Sequence, residues 1–277
     1  MNGSSIALRR RTLTLAGLVA LASAFFVAWV LLRPGTHDQF VTGDNLAQLL
    51  GNLLGLALCY LPLHGRPWRR SAHAQSGIAP VVSPRGARRW APVLLSLAIL
   101  SETIGQAIYT YIQDIQHQAI MFPSWADAVY LCVYPFALLG ILLLAHRPLS
   151  LAARMRVFFD GLMLMTGALT FSWYFILGPT VLQSGQTPFE AAVGGAYPVG
   201  DLLLMVCLLL LAARASDGHL RQAVGLLALA LGVIVVTDSV YDFQLLHGGY
   251  STGSILDVGW CLGYSLLGLG TLAYRRA

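Results

Sequence analysis

Three carboxylates stand where water is scarce. Glu102, Asp201 and Asp238 lie inside long apolar runs of a chain that is 57% hydrophobic and only 10% charged. A bare carboxylate at membrane depth costs several kcal/mol, so such groups face a bundle interior, find partners or stay protonated. No intramembrane base stands near them in the sequence. Hydrogen bonds from Tyr, Ser or Gln are therefore the expected support. Asp201 follows Tyr197 by four residues, which puts both on one helix face. Trp260 precedes Tyr264 by the same step, and Tyr130 precedes Tyr134.

The tyrosines acquire a common depth from their helix starts. Ser124 with Asp127, Thr187 with Glu190 and Ser254 with Asp257 have the spacing of a capping box. Tyr134, Tyr197 and Tyr264 each follow their cap by ten residues, about 15 Å at ~1.5 Å per residue, near the middle of a bilayer. Pro135 and Pro198 free a backbone carbonyl at that level. A polar, aromatic-lined cavity formed by Glu102, Tyr134, Tyr197, Asp201, Asp238, Trp260 and Tyr264 is the functional reading. Tyrosines that only tie packed helices together are the alternative. Asp127, Glu190 and Asp257 are read as caps, and Asp38, Asp44 and Asp114 are placed in or near outer loops.

The elements that must position these residues are membrane helices. A soluble domain carries about 25% charged residues, far above the value here. Apolar segments at 12–32, 44–63, 91–113, 125–145, 157–178, 188–213, 220–245 and 255–274 each approach the ~20 residues needed to cross the hydrocarbon core. Ala22-Ser23-Ala24 resembles a signal-peptidase site, but the apolar run continues to Leu32, so a retained first helix is expected. The fold class is all-α and polytopic, with eight transmembrane helices. A faint fourth cap, Thr42 with Asn45, and an aromatic thirteen residues before each cap (Trp29, Tyr111, Tyr174, Tyr241) complete a plan of four helical hairpin repeats in parallel orientation.

Charge sets the orientation. The chain has no lysine, and of its 17 basic residues, all Arg, only Arg33 falls on one side of this topology. The others flank helix 1, fill the basic loop 64–90, or lie in the alternate loops and the tail. By the positive-inside bias both termini are cytoplasmic. Attraction to anionic membrane lipids accounts for the basic balance without nucleic acid.

Several chemistries lack their residues. A retinal Schiff base needs lysine. Haem between helices needs histidine at membrane depth, whereas all seven His fall at loops or helix ends. No H-E-x-x-H, G-x-S-x-G or Walker pattern occurs, and the four Cys lie singly. The expectation is no catalytic residue, no metal and no cofactor.

The stretches PSWADAVYLCVYPFALLGILLL, AAVGGAYPVGDLLLM and SILDVGWCLGYSLLGLGTLA carry a resemblance. Over roughly residues 95–274 the chain resembles the multi-helix membrane input regions that precede GGDEF, EAL or histidine-kinase domains in bacterial signalling proteins. The resemblance implies an integral-membrane sensor, but carries over no binding residue. The 277 residues contain no such output domain, so action through a cytoplasmic cyclase or kinase partner is expected. A small-solute or proton-coupled transporter is the alternative reading. An intramembrane lipid-modifying enzyme is a third, though no paired-Asp metal–diphosphate motif supports it.

Overall fold

The computed structural model describes residues 3–61, 84–144, 151–182, 187–212 and 218–276. Most of the expected 64–90 loop, with Arg66, Arg69 and Arg70, lies outside the described residues, as do Arg147 and Arg214. All regular structure among the described residues is helical: α1 (Gly3–Leu32), α2 (His37–Tyr60), α3 (Pro84–Thr110), α4 (Trp125–Tyr130), α5 (Val133–Leu144), α6 (Leu151–Ser172), α7 (Gly178–Val181), α8 (Pro188–Ala212), α9 (Gly218–Leu246) and α10 (Asp257–Arg276). Single π-helical turns extend α3 at Tyr111–Ile115 and join α6 to α7 at Trp173–Leu177.

Five stretches are long and apolar enough to cross a membrane: Leu13–Leu32, Arg89–Ile115, Trp125–Leu144, Pro188–Leu208 and Arg221–Leu246. The protein is therefore a helical, membrane-embedded chain. The remaining expected segments lie in α2, α6 and α10, all helical, of which the α2 and α10 segments are more polar. α6 carries Arg154, Arg156 and Asp160 in its first ten positions. In α2 and α10 the polarity has a structural cause. α2 buries Asp44, Asn45, Gln48 and Asn52, and α10 is buried continuously from Gly263 to Leu272. A helix surrounded by protein is released from the need to be apolar on every side.

Three boundaries differ from the sequence reading. α2 starts at His37, seven residues before the expected 44, because the cap is Thr36 and not Thr42. The Gln39 amide nitrogen of the backbone donates to Thr36 Oγ1 (3.4 Å), and the Thr36 N–H donates to Gln39 Oε1 (3.1 Å). Asp44 consequently sits inside a helix and is fully buried, not in an outer loop. α3 begins at Pro84, where proline suits a first helical position. The third difference is a break at Leu131–Cys132 between α4 and α5. Pro135 has no N–H to donate to the Leu131 carbonyl, and the preceding turn tightens, with Cys132 N donating to Val129 O (3.1 Å).

Helices α2, α3, α5, α8, α9 and α10 contact one another in that cyclic order, and α10 returns to α2. α1 lies outside this ring against α10 and α2, and α6 lies outside it against α8. The α2–α10 crossing is closest at glycine. A Cβ on Gly268 would fall 2.0 Å from the Gly55 carbonyl oxygen, and one on Gly55 would fall 2.4 Å from that of Tyr264. Gly51 and Gly55 form a G-x-x-x-G step, the small-residue surface that lets helix backbones approach in lipid. Ser265 Oγ donates to the Gly51 carbonyl across the same crossing (3.0 Å), and Arg275 Nη1 donates to the Cys59 carbonyl where the C-terminal ends of the two helices meet.

This packing gives a stability test. Gly268→Ala places a methyl against backbone that has no rotamer to yield, and overpacking of this kind costs about 1–3 kcal/mol. Gly232→Ala adds its methyl where no atom lies within 4 Å. Thermal melts in detergent should show Gly268→Ala clearly lowered and Gly232→Ala at or above the parent value.

Candidate functional site

The candidate residues arrive from five helices and meet as pairs. Tyr134 of α5 donates its hydroxyl proton to Asp201 Oδ1 of α8 (3.0 Å). Gly200 makes this possible: a side chain there would collide with the Tyr134 ring, 2.4 Å from the Cβ position. Trp260 of α10 donates Nε1–H to Asp238 Oδ1 of α9 (2.6 Å). Tyr264 of α10 lies beside the Glu102 carboxyl of α3. Asp201 and Asp238 thus each take a neutral aromatic donor from a neighbouring helix. Tyrosine was an expected donor; the indole of Trp260 was not.

Tyr197 is placed beside Tyr134, ring edge to ring face at 6.2 Å between centroids. Its hydroxyl, however, turns to Asp127 Oδ1 (2.8 Å). Asp127 Oδ2 meanwhile accepts from the Ser124 backbone N–H (2.6 Å) and the Ser124 hydroxyl (2.8 Å). The cap residue is therefore also an interhelical anchor. Thr187 and Glu190 form the simpler reciprocal box, at 3.3 and 2.7 Å.

Asp257 departs furthest from a simple cap. Its Oδ2 accepts from the N–H groups of Gly253 (2.8 Å) and Ser254 (2.9 Å), and its Oδ1 accepts from the Tyr250 hydroxyl (2.9 Å). Its carboxyl also lies beside that of Asp44 in α2. Gln48 Nε2 donates to Asp44 Oδ2 (3.1 Å). Beside this pair, Asn45 Nδ2 donates to Gln113 Oε1 (2.9 Å) and Asp114 Oδ1 (3.1 Å), while Gln106 accepts the Tyr130 hydroxyl proton (3.0 Å). Tyr250 lies outside the helices, and burial with the adjacent Asp257 charge raises its pKa above the ordinary phenol value.

The sequence reading missed part of this set. Asp44, Gln48 and Asn52 recur every four residues along α2, and that spacing is a polar stripe on one helix face. Asp242 was passed over, although it follows Asp238 by four in α9. Asp201, Asp238 and Asp242 are close enough for their charges to interact, and no basic side chain is a hydrogen-bond partner of any of them among the described residues. Buried oxygens remain unpartnered at Asp44 Oδ1, Asn52 Oδ1, Asp201 Oδ2 and Asp242 Oδ2. Comparison with family models, curated proteins and solved structures finds no significant match.

Two tests follow from the geometry. Ser124→Ala and Thr187→Ala should each lose roughly 0.5–2 kcal/mol, the usual worth of an N-cap, read as a lowered melting temperature. Tyr134→Phe and Asp201→Asn, made singly and together, should be non-additive by ~0.5–3 kcal/mol, as for residues in contact. Tyr134→Phe combined with Thr187→Ala, which share no hydrogen bond, should add within about 0.5 kcal/mol.

Proposed function

We propose that this chain is an integral-membrane sensor module that binds a small or lipophilic ligand among its buried acids and aromatics and acts through a cytoplasmic partner, a cyclase or a kinase. In this reading all eight apolar segments cross a bacterial inner membrane as four hairpins in parallel orientation, with both termini cytoplasmic. The observation that carries the ligand reading is the set of buried acceptor oxygens at Asp44, Asn52, Asp201 and Asp242 that have no hydrogen-bond partner among the described residues. A purely structural core leaves few buried polar atoms unsatisfied. The arginine distribution supports the orientation, and the resemblance to membrane input regions supports the output.

The placing of π-helical turns adds to the repeat scheme. Tyr111–Ile115 and Trp173–Leu177 precede the caps at Ser124 and Thr187 by nearly the same number of residues. Such turns insert one residue into a helix and recur at functional sites.

A transporter built on the same acids is the competing reading. In proteoliposomes carrying a pH gradient, the sensor reading expects no protein-dependent proton leak; a leak abolished by Asp201→Asn would replace it with transport. Topology is checked by maleimide labelling in a background without native cysteines. Ser76→Cys should react from the cytoplasmic side and Gln118→Cys from the opposite side. Labelling of Ser76→Cys from outside would overturn the orientation and the hairpin scheme together.

A further inference from the structure

One side of the buried acid cluster is open. Because α6 packs on α8 outside the ring, a cleft of about 510 Å³ remains between α6, α8 and α9. Pockets of roughly 300–1,000 Å³ are the size that takes small organic ligands. The walls are mainly apolar, with Phe171 from α6, Ile176 from the π-helical turn that follows it, Leu202 and Met205 from α8, and Val236 from α9. Each helix adds one polar residue: Ser172, Asp201 and Ser239. Val236 and Phe171 are more than half exposed, so the mouth of the cleft opens sideways, toward acyl chains in a membrane.

Asp201 lines this cleft, is 3% exposed, and keeps one carboxyl oxygen, Oδ2, without a partner while Tyr134 holds the other. Asp238 and Asp242 stand close enough to add their fields. Asp238 is held by Trp260, and Asp242 Oδ2 is also unpartnered. Three acids without a base favour a cationic guest. A bare metal ion fits poorly, since no group of three or more His, Cys, Asp or Glu positioned to hold one occurs among the described residues. Apolar walls around a single reachable carboxyl instead suit an organic cation with a hydrocarbon body.

We propose that the α6–α8–α9 cleft binds a lipophilic amine, which enters laterally from the bilayer and donates from its ammonium group to Asp201 Oδ2. The proposal rests on the ligand-binding reading above and names the ligand's class and its route.

The test uses the full chain in phosphatidylcholine nanodiscs, with dodecylamine as probe and dodecanol, at equal mole fraction, as the uncharged control. Dodecylamine should raise the melting temperature well beyond dodecanol, and Asp201→Asn should weaken amine binding at least tenfold. Val236→Trp, which fills the cleft mouth and leaves the acid intact, should do the same. Equal shifts from amine and alcohol would overturn the proposal, as would an amine shift that survives either variant. If Asp201→Asn does not fold, Val236→Trp decides alone. A shift specific to dodecanol and lost in Val236→Trp would reject the amine while keeping a ligand-binding cleft. No shift with either probe rejects the amine and leaves the sensor reading to the proton-leak assay.

Discussion

A carboxyl group withdrawn from water must be met by hydrogen-bond donors, and here those donors are aromatic and amide groups. Tyr134 serves Asp201 and Trp260 serves Asp238, while Tyr264 lies beside Glu102. Gln48 and Tyr250 serve Asp44 and Asp257. Neutral donors avoid bringing a second ion into low dielectric, where the desolvation of a salt bridge can exceed its Coulombic gain. The contacts Tyr134–Asp201, Trp260–Asp238 and Tyr264–Glu102 also fix which helices must be neighbours, because each joins two different helices. The cyclic order of α2, α3, α5, α8, α9 and α10 is the arrangement that lets all these pairs form together.

The same constraint bears on α10, which is buried continuously from Gly263 to Leu272. α10 lies against α1, α2, α3 and α9, and its glycines allow the backbone contact that such enclosure needs. α1 and α6, on the outside, contribute few polar groups to the network and show broad apolar surfaces. The loose seat of α6 is what leaves the cleft beside Asp201. Rigidity on the α2–α10 side and openness on the α6 side thus divide scaffold from site.

Much of this was legible in the sequence. Local signals were reliable where the structure is local: the boxes at Ser124 and Thr187 form as their spacing implies, and Pro135 interrupts its helix. The level shared by Tyr134 and Tyr197 also followed from counting residues past a cap. The error at Thr42 arose because a T-x-x-N inside a helix looks like a cap; Thr36, behind Pro34 and Gly35 and three residues before Gln39, carried the better signal. Asp44 was misplaced by the same mistake. Its i, i+4 relation to Gln48 and onward to Asn52 would have shown an interior face. The partners of Asp127, Asp257 and Asp201 were not readable, because residues some 70 to 210 positions apart meet only through the order in which helices pack. The cleft was invisible for the same reason.

The central claim is that the acid–aromatic core is enclosed by protein on its α10 side and open only at the cleft beside α6. Trp260 reports on it directly, being packed against Tyr241 at 5.3 Å and bonded to Asp238, whereas Trp173 on the rim is 53% exposed. Variants retaining only one of these two tryptophans, placed in vesicles with brominated acyl chains, give the most direct measurement. The account predicts strong quenching of Trp173 and weak quenching of Trp260. Equal quenching of the two would contradict it.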